Sequence, residues 1–377
     1  MNIKCASVVL FLSAILAGCT PVIVSTGDFQ TLYTPDYADG FDILACPGLS
    51  STIIVTKLPW QGADSTATTQ TLIRRDGEDI PRGFRGQVID GDASRVVCMS
   101  STYIAMLDAI GQTDKVVGVS GIDFISNRHI IARRDSIGDV GYDGNINYEL
   151  LLSLDPDVVL LYGVGGRSAM EGKLSELGIP YMYVGEYLEE DPLGKAEWMV
   201  ALGDVVGKRD EAIAAYENIP RRYNGLKTIT DTVSYRPPVM INTPYRDQWM
   251  MASSISYVAR LISDAGGRYV YTGNSSNRSV PIDIEQAYIL TDSADVWINL
   301  GQITSMQELK NALPKFSDTR PVVSGRVWNS TARSANGAND YWESGVVNPD
   351  LVLRDLIKIF HPEALPDSQF TYYQQLR

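Results

Sequence analysis

The fold is decided by residues 147–162, which read NYELLLSLDPDVVLLY. The first half, residues 148–154, predicts a short helix, which Asp155-Pro156 ends because proline does not continue a helix. The second half, residues 158–162, is an unbroken apolar run. Such a run is typical of a parallel strand that is covered on both faces, so the stretch predicts a helix leading into a buried strand.

The same alternation extends in both directions from this stretch. Residues 96–99 and 116–119 are predicted strands, and a helix is predicted between them at 103–111. After the stretch, a helix is predicted at 168–177 and a strand at 180–184. Strands that alternate with helices indicate a parallel sheet with crossover helices, and hence an α/β lobe.

A second α/β lobe follows a helical connection. Residues 192–230 are mostly helical in pattern, with Pro220 predicted to kink or split the helix. Strand patterns begin again at 239–242 and 295–299. We therefore expect two Rossmann-like α/β lobes joined by a long helical connection, with the ligand cleft between the lobes. The predicted segments are a signal peptide (1–18), a strand-rich N-terminal extension (19–92), an N-terminal lobe (93–191), the connection (192–232) and a C-terminal lobe (233–377).

The first nineteen residues predict export. Lys4 gives a positive start, residues 6–16 are apolar or small, and Ala17 and Gly18 precede Cys19. This pattern is typical of a bacterial lipoprotein signal that is cut before the cysteine, which then carries the lipid. Because the apolar run is too short to span a bilayer, we expect a periplasmic body held to the membrane through its lipid only.

Composition indicates a globular and acidic body. Hydrophobic residues make up 45% of the 377 residues and charged residues 20%, as in folded domains. The formal net charge is −13, so nucleic acid is not expected as a partner.

The extension is expected to contribute little chemistry. Short β patterns at 41–44 and 52–56 predict a hairpin added to the edge of the neighbouring lobe. Cys46 and Cys98 remain in the exported body, where a disulfide is permitted. Cys98 stands in a predicted buried strand, so an inert core thiol is an equal alternative.

Catalytic and metal-binding patterns are missing from the sequence. The sequence has two histidines, His129 and His361. It contains no Gly-x-Ser-x-Gly, His-x-x-x-His or Cys-x-x-Cys motif. Neither a metal site nor a cofactor is therefore expected. The glycine turn at 163–166 follows a strand as a dinucleotide fingerprint does, but Ser168 stands where the third glycine belongs. An exported α/β enzyme is the less favoured alternative, because no base and nucleophile are recognisable.

Several segments taken together are similar to one family. They are Arg95-Val-Val-Cys-Met-Ser-Ser-Thr102, Val117-Gly-Val-Ser120, residues 147–160, Val280-Pro-Ile-Asp-Ile-Glu-Gln286 and Ala294-Asp-Val-Trp-Ile298. With the two lobes and the lipoprotein signal, the chain resembles the class III periplasmic substrate-binding proteins of ABC importers over residues 93–365. That family captures ferric siderophores, haem or cobalamin.

The resemblance implies two docking residues. In this family a surface glutamate on each lobe meets arginines of the membrane permease, and the matching positions here are Glu149 and Glu285. Two carboxylates far apart on one rigid body would fix a single docking orientation. For each, an ordinary first-turn acid favoured by the helix dipole is the alternative.

The resemblance also implies a cleft lined by strand-to-helix loops of both lobes. The matching positions are Ser101, Thr102, Tyr142, Tyr162, Arg167, Tyr245, Arg246, Trp249, Arg333 and Trp342. Aromatic rings offer flat apolar walls for a chelate, and arginine offers paired donors for carboxylate or catecholate oxygens. For each residue, a place in the lobe core or in solvent is the alternative.

The predicted function is that of a lipid-anchored, monomeric solute-binding protein. It would capture an iron chelate of the siderophore type and deliver it to an inner-membrane ABC permease with its ATPase. Cobalamin or haem is the alternative ligand in the same role. The 20 tyrosines leave room for a tyrosinate ligand to haem iron.

Overall fold

The computed structural model describes residues 24–142, 144–245, 248–276 and 278–377. Within these ranges the chain forms three five-stranded sheets, one in the N-terminal extension and one in each of two α/β lobes. No helix in the same ranges is long and apolar enough to cross a membrane. The predicted signal peptide and Cys19 lie outside the described residues, and the predicted domain boundaries stay a proposal.

The extension forms a sheet of its own, so the expected hairpin on the neighbouring lobe is wrong. Its strands pair in chain order, antiparallel except for the parallel last pair. Both faces are covered, because Ile53 packs in a small core of the extension and Ile54 in the main core of the protein. The strands are β1 (Gln30–Tyr33), β2 (Phe41–Ala45), β3 (Thr52–Lys57), β4 (Thr68–Arg74) and β5 (Gln87–Asp90).

The first lobe has an all-parallel sheet in the order β10-β9-β6-β7-β8. The predicted strand at 158–162 is β9, which lies between β10 and β6 and whose four residues are all buried. The elements are β6 (Val96–Cys98), α1 (Ser101–Ala109), β7 (Val116–Val119), α2 (Arg128–Ala132), β8 (Gly138–Asp139), α3 (Tyr148–Ser153), β9 (Val158–Leu161), α4 (Met170–Leu177) and β10 (Tyr181–Tyr183). Cys98 in β6 and Cys46 in the extension are both buried free thiols, and burial raises the pKa of Cys98.

The connection consists of three helices, α5 (Pro192–Val205), α6 (Arg209–Tyr216) and α7 (Asn218–Lys227). Every residue of α5 except Lys195 is buried, as expected for a helix in the middle of a protein. The break between α6 and α7 lies at Glu217, before Pro220. Pro220 occupies the first turn of α7, where a backbone N–H has no partner within the helix, so the missing N–H of proline does not destabilise it. α5 therefore packs against both lobes and the extension.

The second lobe repeats the α/β plan with sheet order β13-β11-β15-β16-β19, of which only β19 is antiparallel. Two small ribbons, β12 with β14 and β17 with β18, flank it. The strands are β11 (Pro238–Ile241), β12 (Trp249–Met251), β13 (Arg268–Tyr269), β14 (Val280–Ile282), β15 (Val296–Ile298), β16 (Val327–Asn329), β17 (Ser334–Ala335), β18 (Ala338–Asn339) and β19 (Gln374–Gln375). The helices are α8 (Tyr257–Asp264), α9 (Ile284–Ser293), α10 (Met306–Ala312), α11 (Arg320–Val323), α12 (Asp340–Glu343) and α13 (Pro349–Phe360).

Candidate ligand-binding cleft

A cavity of about 250 Å³ lies between the lobes. It is lined by residues 187–190 of the first lobe, by Gln61 of the extension, and by residues from several loops of the second lobe. Those of the second lobe are Ile241, Asn242, Ala252, Ser253, Ile255, Ser256, Tyr257, Val258, Ser276, Arg278, Ser279, Asn299 and Trp342. A smaller cavity of about 60 Å³ shares Tyr257 and Trp342 and adds Thr102, Lys195 and Tyr341. The two cavities therefore form one interlobe cleft.

The ends of parallel strands place part of this lining. Asn242 follows β11 and Asn299 follows β15, with φ of 64° and 62° respectively. Asparagine tolerates this left-handed backbone better than most residues, so both strands turn sharply at the cleft. The Asn242 carbonyl accepts a hydrogen bond from Trp297 Nε1 at 2.7 Å, and Asn299 Oδ1 accepts one from Tyr373 Oη at 2.8 Å. The turns are thus tied to the lobe core.

Aromatic side chains form one wall of the cleft. Tyr257 is the first residue of α8, whose N-terminus is capped by Ser256. Trp342 lies in α12, with its ring centre 4.8 Å from that of Tyr341 in an edge-to-face arrangement. Trp342 is 52% exposed although it is a large apolar residue, whereas Tyr341 is buried. A half-exposed tryptophan at a cavity mouth offers a flat surface to a bound molecule.

A carboxyl group of the first lobe and a lysine of α5 in the connection lie near the smaller cavity. Glu186 is 2% exposed and accepts a hydrogen bond from Thr102 Oγ1 at 2.8 Å, while its Oε2 has no hydrogen-bond partner among the described residues. Lys195 Nζ donates to the Glu186 carbonyl at 3.1 Å and lies 4.5 Å from the ring centre of Tyr257. Burial raises the pKa of Glu186 and lowers that of Lys195, since it disfavours both charged forms.

The model of the periplasmic binding protein family matches residues 96–329. The chain belongs to the periplasmic binding protein family. This is a family of solute-binding proteins and not of enzymes, and it serves ABC importers. The periplasmic binding protein described here is therefore an exported receptor for a small molecule, with a permease as its partner.

This chain is similar to other proteins in its sequence or in its fold. An uncharacterized lipoprotein of Methanocaldococcus jannaschii is 30% identical over 79% of this chain and 74% of its own length. A periplasmic heme binding protein from Pseudomonas aeruginosa has a TM-score of 0.59 at 18% identity, over 76% of this chain and 98% of its own. A periplasmic binding protein from Veillonella parvula has a TM-score of 0.57 at 15% identity, over 80% and 97%. At these identities the two solved structures show the fold alone.

Of the predicted binding residues of this binding protein, Thr102 and Trp342 line the cleft. Thr102 lies at the start of α1, where its hydroxyl also contacts Ser100 Oγ at 2.8 Å. Trp342 is the aromatic residue at the mouth. That either one contacts a ligand stays a prediction.

The other predicted residues of the first lobe line neither of these two cavities, and their contact with a ligand stays a prediction. Ser101 begins α1, and Tyr142 is 56% exposed on the surface. Tyr162 packs in the smaller core of the first lobe. The Arg167 guanidinium lies 4.6 Å from the ring centre of Trp60, so it contacts the extension rather than the cleft.

Three predicted residues of the second lobe also line neither of these two cavities, namely Tyr245, Trp249 and Arg333. Trp249 is 1% exposed and stacks 5.7 Å from Trp297, so it belongs to the lobe core and not to the cleft wall. Arg333 Nε lies 2.9 Å from Asp340 Oδ2 in a separate groove. Tyr245 is 72% exposed and lines neither cavity, and Arg246 lies outside the described residues.

Several cleft residues were not predicted from the sequence. Tyr187, Asn242 and Asn299 each come shortly after a parallel strand, and the rule that ligands bind at strand carboxyl ends could have identified them. Lys195 and Gln61 carry no such signal. Lys195 is the one residue of α5 that is not classed as buried, and Gln61 belongs to the extension.

The two predicted docking glutamates occupy matching exposed positions. Glu149 lies in the first turn of α3, whose N-terminus is capped by Asn147 through a bond to Leu150 N at 3.0 Å. Glu285 lies in the first turn of α9, where Asp283 caps the helix. Each lobe therefore presents one carboxylate near a helix N-terminus, and its docking role stays a prediction.

Proposed function

We propose that this protein captures an iron chelate of the siderophore type in the interlobe cleft and delivers it to an ABC permease. The observation that carries this function is the cavity lining, in which Tyr187, Tyr257 and Trp342 lie with the basic side chains of Lys195 and Arg278. Aromatic rings give apolar surface to the body of a chelate. The Arg278 guanidinium and the serine hydroxyls of the same lining favour its anionic oxygens.

Haem is a second candidate ligand, and Tyr257 favours it. A phenol in the cleft is able to ligate haem iron as tyrosinate. Both histidines lie elsewhere, since His129 Nδ1 is 2.9 Å from Asp108 and His361 Nε2 is 3.1 Å from the carbonyl of Gly266. The Pseudomonas aeruginosa protein of the same fold is named for heme binding, which supports including haem among the test ligands.

The ligand class is tested by titration of intrinsic tryptophan fluorescence. The panel holds a ferric catecholate, a ferric hydroxamate, haemin and cyanocobalamin, with free Zn²⁺ as control. We expect one ferric siderophore to quench with a dissociation constant below about 1 μM. Quenching by haemin or cyanocobalamin alone would replace the siderophore by that ligand, and no response from the folded protein would contradict the whole panel.

Two substitutions localise the ligand in the cleft. Trp342→Ala removes the exposed ring at the mouth and should weaken binding roughly tenfold, because an aromatic contact is worth about 1 kcal/mol or more. Tyr142→Ala is the matched control, since Tyr142 is as exposed but lies outside the cavities. Tyr257→Phe distinguishes the ligands. It should alter the absorption spectrum of bound haemin if the phenol ligates iron, and leave siderophore affinity nearly unchanged.

We also propose that Glu149 and Glu285 dock the protein on its permease. Glu149→Gln and Glu285→Gln should each lower the stimulation of permease ATPase activity, and the double variant should abolish it, while ligand affinity is unchanged. Glu176→Gln, an exposed glutamate of α4 paired with Lys173, is the control. Full stimulation by the double variant would show that docking uses another surface.

The lipid anchor at Cys19 is proposed from the sequence pattern and supported by the lipoprotein name of the Methanocaldococcus jannaschii relative. Cys19→Ser should move the protein from the membrane to the soluble exported fraction and abolish labelling with an azide-bearing fatty acid. Retention of the label by the variant would place the lipid elsewhere.

A further inference from the structure

A loop of the N-terminal extension reaches the mouth of the cleft. It comprises residues 58–67, between β3 and β4, and is closed by a hydrogen bond from Leu58 N to Ala67 O at 3.0 Å. We name it the cleft strap. It lies outside the family match at 96–329, yet its Gln61 lines the same cavity as Tyr257 and Trp342.

Hydrogen bonds and a tryptophan attach the cleft strap to the first lobe. Gln61 N donates to the carbonyl of Gly163 at 2.8 Å and lies 3.2 Å from Tyr187 Oη. Tyr187 Oη also donates to the Gly163 carbonyl, at 2.7 Å. A Cβ added at Gly163 would lie 2.4 Å from Trp60 Cβ, so the strap packs directly on the glycine turn. The strap is therefore bonded to the first lobe.

The contact of the cleft strap with the second lobe is of a different kind. Gly62 has φ of +81°, and a Cβ added there would lie 1.8 Å from Nη2 of Arg278. The guanidinium thus rests against the backbone of Gly62. Arg278 is an exposed residue of the second lobe and lines the same cavity as Gln61.

We propose that the cleft strap is a third wall of the ligand site, in which Gln61 contacts the bound solute and the contact between Gly62 and Arg278 closes the mouth. This role rests on the proposed function of the cleft. Gln61 lines the cavity, and a carboxamide carries donor and acceptor groups of the kind that match the polar edge of a chelate. Because the strap is bonded to one lobe and only touches the other, separation of the lobes opens the mouth on the side of Arg278.

Closure is tested without any ligand, by access of a thiol reagent to the cavity. Ala252 lines the cavity and is replaced by cysteine in a Cys5→Ser, Cys19→Ser background of the full chain. The remaining thiols, Cys46 and Cys98, are buried. Fluorescein maleimide is the probe, because the rate at which this bulky reagent labels residue 252 reports how accessible the cavity is.

Gly62→Ala strains the left-handed backbone and displaces the guanidinium, and Arg278→Ala removes it. Each should speed labelling at residue 252 roughly threefold or more. Gly77→Ala is the matched control, since Gly77 also has positive φ, +68°, and nothing lies within 4 Å of an added Cβ. Equal labelling rates in the Ala252→Cys parent and in its Gly62→Ala, Arg278→Ala and Gly77→Ala variants would overturn closure by the strap. If Gly62→Ala fails to fold, the comparison of Arg278→Ala with the parent tests closure alone.

The wall function is tested with ferrichrome and haemin as probes. Gln61→Ala should raise the dissociation constant of whichever probe binds roughly tenfold, because a polar group of the solute loses its partner. Gly62→Ala should act mainly on the dissociation rate. An unchanged affinity in Gln61→Ala would refute the contact. Failure of both probes to bind would count against the proposed ligands, whereas the labelling rates would still decide closure.

Discussion

Replacement of Glu197 by glutamine tests how the extension is held to the rest of the protein. Glu197 lies in α5 and is fully buried. Its Oε1 accepts hydrogen bonds from Tyr33 Oη and Asp36 N, both at 2.8 Å. Its Oε2 accepts from Tyr37 N at 2.8 Å and Ala38 N at 2.9 Å. One side chain of the connection therefore satisfies four donors of the extension.

The expected cost follows from the donors that glutamine leaves without an acceptor. Glu197→Gln turns one of the two oxygens into an NH₂ group, so two of the four donors face another donor. A hydrogen bond to a charged group is worth about 1.5–3 kcal/mol, and part of the loss is recovered because no buried charge has to be desolvated. We expect the free energy of unfolding to fall by about 3 kcal/mol, a large share of a typical total of about 5–15 kcal/mol.

Urea denaturation and amide hydrogen exchange measure this cost. The amides of Asp36, Tyr37 and Ala38 should exchange faster in Glu197→Gln, because their acceptors are lost. Glu217→Gln is the control, since Glu217 is exposed in the same connection and should change stability by less than about 0.5 kcal/mol. A Glu197→Gln protein within about 1 kcal/mol of the parent, with unchanged exchange, would refute the anchoring role.

Two further predictions concern pH and a glycine. Burial raises the pKa of Glu343 to about 7 from its ordinary 4.5, so the folded state holds this proton more tightly than the unfolded chain. The resulting stability, about 3 kcal/mol, is fully present below pH 4.5 and is lost as the pH rises through about 7. In Glu343→Gln, the free energy of unfolding from urea denaturation should lose this pH dependence. If the pH dependence persists in the variant, other titratable groups cause it. Gly266→Ala should lower the free energy of unfolding by about 2 kcal/mol, because the added Cβ would meet His361 Nε2 at 2.6 Å and φ is +77°. Gly325 also has positive φ, +68°, but nothing lies within 4 Å of an added Cβ, so Gly325→Ala should lower the free energy of unfolding by less in the same assay. An equal loss in both variants would exclude the contact with His361 as the cause.

The lobes were predictable because their signals are local. The apolar run that forms β9 and the Asp-Pro stop before it lie within one short stretch. The helices that carry Glu149 and Glu285 begin directly after Asn147 and Asp283, whose side chains cap them. The extension was not predictable in the same way, because its short strands show neither their pairing order nor the fact that both faces are covered.

The cleft was predictable only in outline. Trp342 and Thr102 lie in its lining, whereas Trp249 lies in the core, since a tryptophan near a strand end has the same local pattern whether it faces solvent or its own lobe. The backbone N–H of Gln61 is bonded to Gly163 and lies near Tyr187, and such distant pairs leave no trace in a single sequence.

The hydrogen bonds between Glu197 of α5 and the extension have a consequence for the order of folding. The donors at Asp36 and Ala38 find their acceptor about 160 positions later in the chain, at Glu197. Strands β1 to β5 are able to pair early, but these backbone N–H groups have only water as their acceptor until α5 packs against the extension. Contacts of such long sequence separation slow folding, so the extension, which precedes α5 in the chain, is among the last parts of the protein to be completed.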